Sequence, residues 1–178
     1  KRDVLVLRKG LESLPAGPVI GTFSRRRRMQ AARLYPDAVF KGIRGNLVTR
    51  LRKLDDGEYD ALILAAAGLI RMWFEGRISR YFSVEEMIPA AGQGILAVQG
   101  RTGVDYAFLD GYCDADAWSA GCAERAFVRC LNGGCSSPVA AFGTVEGEML
   151  FLRGLYYNEE TGNWFKDSIL GNRKDAEE

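Results

Sequence analysis

The residues best equipped for chemistry lie in one segment, VIGTFSRRRRMQAARL over residues 19–34. A short apolar run ends in Gly21, Thr22, Phe23 and Ser24, and Arg25, Arg26, Arg27 and Arg28 open a stretch with helical spacing. A strand that hands a small-residue turn to a helix N-terminus gathers backbone N–H groups, hydroxyls and guanidinium forks around one point, and such a point attracts anions. The alternative for four consecutive arginines is a solvated basic face. Arg44, Arg50 and Arg71 stand near the ends of further strand-like runs, which favours a ligand with more than one carboxylate or phosphate. Cys135 follows two glycines and precedes Ser136, Ser137 and Pro138. It is a loop thiol open to an electrophile or a covalent group, or else a thiol filling space beneath a turn. The absence of histidine removes Ser-His-Asp and Cys-His catalysis and the commonest zinc ligand. Cys113, Cys122 and Cys130 read as small buried hydrophobes, and no C-x-x-C pair supports a metal site.

The elements that must carry these residues follow an alternating grammar. Residues 3–7 and 19–21 read as strands, Ser24 as an N-cap, and Met29, Ala32 and Tyr35 as the apolar stripe of a helix stopped by Pro36. A strand over 39–43 leads to a helix capped by Asn46, with Val48, Leu51 and Leu54 on one face. The unbroken apolar run 61–67 predicts a central parallel strand, followed by a short helix over 69–73. These units imply an α/β domain with a mostly parallel sheet, in which ligands bind at the carboxyl ends of the strands. Beyond it, Ser83 to Glu86 matches a capping box, and a Gly-rich turn at 89–94 leads to a predicted strand over 95–98. Helices are predicted over 105–112 and 114–131, the second with Trp118, Cys122, Ala126, Phe127 and Cys130 on its apolar face. Three strands over 138–145, 149–157 and 164–169 complete a small α+β unit with an antiparallel sheet.

The 178 residues carry a net charge of +1 that conceals an asymmetry. Residues 1–60 hold 14 Lys and Arg against 7 Asp and Glu, whereas the remaining 118 hold 10 against 16. The anion-facing surface therefore belongs to the first third. No run approaches the ~20 apolar residues of a membrane span, so no membrane partner is expected and the location read is cytoplasmic. The opening without Met and the polar tail suggest a piece of a longer protein.

Taken together, GTFSRRRR (21–28), RGNLVTRLRKLDDGEYDALILAAAGLIR (44–71), PAAGQG (89–94), AERAF (123–127) and LNGGCSSPVAA (131–141) closely resemble the porphobilinogen deaminases, or hydroxymethylbilane synthases. The motifs keep the family's order and cover nearly all of the chain. The resemblance implies a three-domain transferase of tetrapyrrole and heme biosynthesis that condenses four porphobilinogens into hydroxymethylbilane and releases ammonia. It implies a periplasmic-binding-protein-like second domain over 1–88, which binds substrate and cofactor carboxylates. Residues 89–110 would return to a first domain that lies outside this sequence, and 111–178 would form most of the α+β cofactor-attachment domain.

Carried over by position, Cys135 is the attachment point of a dipyrromethane cofactor, and Thr22, Ser24, Arg26, Arg27, Arg44, Arg50 and Arg71 bind acetate and propionate groups. Gln93 falls on the glutamine of the hinge segment. The implied partners are porphobilinogen and oligopyrrole intermediates, with a monomeric full-length protein and a fragment able to self-associate through its uncovered face. Each added pyrrole brings two carboxylates, which suit arginine forks. Loss of the aminomethyl group leaves an electrophile whose positive charge needs a carboxylate. The family's catalytic aspartate has no counterpart here, so the fragment is expected to be inactive alone.

Four departures stand out: Phe23 and Arg25 replace a small polar and an apolar residue, Ala91 a frequent proline, and Ser136-Ser137 a common Gln-Val. Two rival readings are a nucleic-acid-binding module built on the arginine run, opposed by the near-neutral total charge, and a non-catalytic anion-binding or sensor domain.

Overall fold

The computed structural model describes residues 1–109, 111–133 and 137–176. Its first body is a five-stranded sheet in the order β3-β2-β4-β1-β5, built from β1 (Asp3–Leu7), β2 (Val19–Gly21), β3 (Val39–Lys41), β4 (Ala61–Ala65) and β5 (Arg80–Tyr81). β2 pairs in parallel with both β3 and β4, while β1 runs antiparallel to β4 and β5. Four of the five strands thus share one direction, as the alternating pattern predicts, and the reversed β1 is inserted among them.

Continuous apolar runs form β1 and β4 because both faces of the sheet are covered. Val4, Val6, Leu62 and Leu64 pack on one side with Leu51 and Leu54 of α2 (Leu47–Asp55) and Leu69 of α3 (Ala66–Arg71). Leu5, Ala61 and Ile63 pack on the other with Ala31 of α1 (Arg25–Leu34) and with Phe82 and Met87. Ser24 Oγ accepts from the Arg27 N–H at 3.4 Å, and Asn46 Oδ1 accepts from the Thr49 N–H at 2.8 Å, so both predicted caps form. The buried face of α1 is not the expected Met29, Ala32 and Tyr35 stripe. It is Arg26, Gln30 and Ala31, because this helix turns polar side chains inward to meet buried partners.

The second body is the antiparallel sheet β6-β7-β8, formed by β6 (Val139–Glu146), β7 (Met149–Tyr157) and β8 (Trp164–Asn172), under α4 (Ala115–Cys130). Here too the apolar face differs from expectation. Ala120, Ala123 and Glu124 are buried, whereas Trp118 and Cys130 are exposed. At Ala120 the helix lies too close for a large side chain, since a Cβ on Gly143 of β6 would stand 3.1 Å from it, whereas Phe127 of the expected face does turn to the sheet, where a glycine makes room for its ring. A Cβ on Gly154 of β7 would meet the Phe127 ring at 2.5 Å.

Between the bodies, residues 95–98 form no strand, and of the helix expected over 105–112 the described residues show one 3₁₀ turn at Ala107–Leu109. Leu96, Val98, Phe108 and Tyr112 are all more than 70% exposed. A strand without a neighbour and a short helix without an apolar surface beneath it have nothing to offset their ordering entropy. Among the described residues no helix is long and apolar enough to cross a membrane.

Candidate functional site

Reversal of β1 carries its first residue to the edge where the parallel strands end, since Asp3 stands opposite Ala65, the last residue of β4. There Asp3, wholly buried, is the acceptor for three side chains. Arg26 Nη2 donates to Oδ2 at 2.7 Å, Arg27 donates to Oδ1 through Nη2 at 2.8 Å and Nε at 3.0 Å, and Gln93 Nε2 donates to Oδ1 at 3.1 Å. Burial pushes the Asp3 carboxyl up, but the charges and hydrogen bonds of Arg26 and Arg27 outweigh it and hold it below the ordinary carboxylate range. Burial also draws Arg26 below its usual value against the opposing pull of Asp3.

Arg26 spends its other fork on the Ile88 carbonyl, with Nη1 2.7 Å away. Gln30, one turn along α1, donates Nε2 to the same carbonyl at 3.0 Å and accepts the Ile88 N–H at 2.8 Å. The Ile88 side chain is buried against Ala140 and Leu155 of the second sheet. One residue therefore ties α1, and with it the first body, to the second. Nearby, Ser83 and Glu86 exchange hydrogen bonds in the reciprocal manner of a capping box, at 3.0 and 3.2 Å.

Thr22 is buried and its Oγ1 accepts from the Ser24 N–H at 3.4 Å, while its own N–H extends the ladder to Lys41. Both hydroxyl residues thus shape the turn that opens α1. Arg44 follows β3 and lays its guanidinium over the Phe23 ring, 4.5 Å from the centroid. Arg50, in the first turns of α2, is anchored by Nε to the Gly45 carbonyl at 2.8 Å. Arg71 ends α3 and is exposed. The strands β3, β2 and β4 are adjacent and parallel, so the elements bearing these residues all leave one edge of the sheet. Arg25, by contrast, reaches out to Glu159 at 2.7 Å on the surface.

Gln93 lies in the turn at 89–94 and lines a cavity of about 210 Å³ with Lys1, Arg2, Ala66, Ile70 and Tyr81. The same turn is held from the second body by Glu124 of α4, wholly buried, which accepts from the Gly92 N–H at 2.7 Å, the Gly143 N–H at 2.9 Å and Lys1 Nζ at 2.9 Å. Cys135 lies outside the described residues. Cys113 and Cys130 are exposed rather than buried as expected. No group of metal-ligating side chains occurs among the described residues.

Sequence reasoning passed over Asp3, Gln30 and Glu124. A charged residue at the head of an apolar run, DVLVL, and a glutamate on the sheet-facing side of a helix, AERAF, were the available signals. Periodicity assigns such residues to solvent by default.

Set beside known proteins, residues 1–107 match the family described as porphobilinogen deaminase, dipyromethane cofactor binding domain. Residues 118–178 match porphobilinogen deaminase, C-terminal domain. The chain is 48% identical over 177 residues to the porphobilinogen deaminase of Ruminiclostridium josui, and 49% identical over 177 residues to that of Alkaliphilus oremlandii. It is 47% identical over 176 residues to that of Acetivibrio thermocellus. In each case 99% of the chain is aligned, and it spans 60% of the relative's length. With both halves matched in order, the chain belongs to the porphobilinogen deaminase family.

Proposed function

We propose that this chain supplies the carboxylate-binding and cofactor-bearing parts of a hydroxymethylbilane synthase, a transferase that joins four porphobilinogens with release of ammonia. The observation that carries the reading is the arginine set at one sheet edge. The side chains of Arg44 and Arg71 make no hydrogen bond or ion pair among the described residues, and that of Arg50 commits only Nε. Planar forks left open in this way suit the two carboxylates each pyrrole brings. The donor set therefore fits dipyrromethane, whose four carboxylates Arg44, Arg50 and Arg71 would hold. Arg26 and Arg27 set the turn from beneath, and Arg27 keeps one nitrogen, Nη1, outside its Asp3 contacts. When bound, the cofactor supplies the primer to which pyrroles are added, and Cys135 is its attachment residue.

The first body is read as a periplasmic-binding-protein-like second domain spanning 1–88, with 89–110 returning to a first domain and 111–178 carrying the attachment loop. The acid–base carboxylate is assigned to the length of the relatives that this chain does not span. Porphobilinogen and oligopyrroles are the partners, in the cytoplasm. Intact mass of the chain with and without Cys135→Ser is the test: a pyrrole adduct present only in the unaltered chain supports the reading. An adduct surviving the substitution moves attachment to Cys113, Cys122 or Cys130. The chain alone is expected to form no hydroxymethylbilane.

A further inference from the structure

We propose that Phe23 is a positioning residue for Arg44, fixing its guanidinium at the mouth of the carboxylate site before ligand arrives. The inference rests on the reading of Arg44 as a carboxylate ligand and adds to it a residue with no inherited role, since an aromatic here departs from the family's small polar residue.

The geometry begins with the parallel pairing of β2 and β3, which sets Gly21 opposite Lys41. The Thr22 N–H donates to the Lys41 carbonyl at 3.0 Å, so the ladder continues to the residue before Phe23. The loops after the two strands therefore leave the sheet side by side on a rigid base. Phe23 is 60% exposed and belongs to neither core cluster of the first body, so the ring is not there for burial. It stands over Gly42, where a Cβ would lie 3.6 Å from Cδ2. Arg44 covers the ring at 4.5 Å.

A guanidinium stacked on a ring uses its flat face and leaves its in-plane N–H donors free. Those of Arg44 have no acceptor among the described residues. A freely rotating arginine must surrender its rotamers when it clamps a carboxylate, and the stack removes part of that cost in advance. Arg50 is treated alike, its Nε tied to the Gly45 carbonyl. An exposed stack of this kind predicts an affinity gain of about two- to five-fold.

The test compares the chain with Phe23→Ser, Phe23→Leu and Phe23→Tyr by two readouts. In NMR spectra the Arg44 side-chain protons should lie upfield from ring current in the unaltered chain and in Phe23→Tyr, and return to random-coil positions in the other two. Titrated with porphobilinogen, Phe23→Ser and Phe23→Leu should bind about two- to five-fold more weakly and Phe23→Tyr like the unaltered chain. Unshifted Arg44 protons in the unaltered chain, or Phe23→Leu binding as tightly as it, would overturn the proposal. Failure of the unaltered chain to bind porphobilinogen while the upfield shift persists would instead bring down the carboxylate-site reading, and the proposed role with it.

Discussion

Asp3 Oδ2 and Arg26 Nη2 meet at 2.7 Å where neither side chain has more than 4% of its surface in water. A buried pair of this kind contributes little against a well-packed apolar pair, yet breaking it strands a charge, which costs about 3–5 kcal/mol. Asp3→Asn is expected to lose stability on that scale in urea unfolding. The double variant Asp3→Leu, Arg26→Met should lose less than the two single changes together, since it removes both members of the buried pair and leaves only the partly exposed Arg27 without its carboxylate.

The same carboxylate sets a pH dependence. Its folded pKa lies below the ordinary value of about 3.9, so its stabilisation is complete above that pH and lost as pH falls through the lower, folded value. The stability difference between the chain and Asp3→Asn should therefore be flat from pH 7 to about pH 5 and shrink below about pH 4. A difference that grew on acidification would contradict the assigned shift. Asp55, whose partial burial raises its pKa less than its hydrogen bonds to Arg77 and Lys9 lower it, adds acid sensitivity of the same sign.

Gln30 satisfies both backbone groups of Ile88, at 2.8 and 3.0 Å. Gln30→Leu leaves the Ile88 N–H without its acceptor, at a cost of about 1–3 kcal/mol. Because Ile88 also packs into the second sheet, amide exchange should accelerate at Ile88 and at Ala141, whose N–H donates to the Pro89 carbonyl at 3.1 Å.

Gly154 faces the Phe127 ring at a distance that leaves no room for a methyl group. Gly154→Ala should destabilise by about 1–3 kcal/mol in thermal unfolding, and Phe127→Leu in the same chain should recover part of the loss.

Arg71 meets no acceptor among the described residues, so its exchange tests binding with little risk to the fold. Removing one charge-assisted contact costs about 1.5–3 kcal/mol, so Arg71→Gln should weaken porphobilinogen binding roughly ten- to a hundred-fold while leaving the unfolding midpoint unchanged.

Local features were legible in the sequence because local physics produces them. Ser24, Asn46 and the Ser83–Glu86 box each satisfy a backbone N–H within three residues of themselves, and the motif order pointed to the family before any geometry was known. The alternation of strand and helix required parallel neighbours, and β2, β3 and β4 are such neighbours. The apolar residues at 95–98 satisfy strand patterning, and the lack of a neighbouring strand, which no local pattern reveals, leaves them unpaired.

The sequence by itself determined the caps, the alternating units and the collection of arginines at strand ends, because each depends on residues close in the chain. Only the tertiary structure decided which arginines remain open. Arg26 and Arg27 are adjacent to Arg25 and Arg28 and chemically identical to them. They are held from beneath because β1 runs against its neighbours and delivers Asp3, more than twenty residues away, to the end of α1. Arg44 and Arg71 meet no such carboxylate among the described residues, and that difference in long-range partners separates the arginines locked into the fold from those left open to solvent.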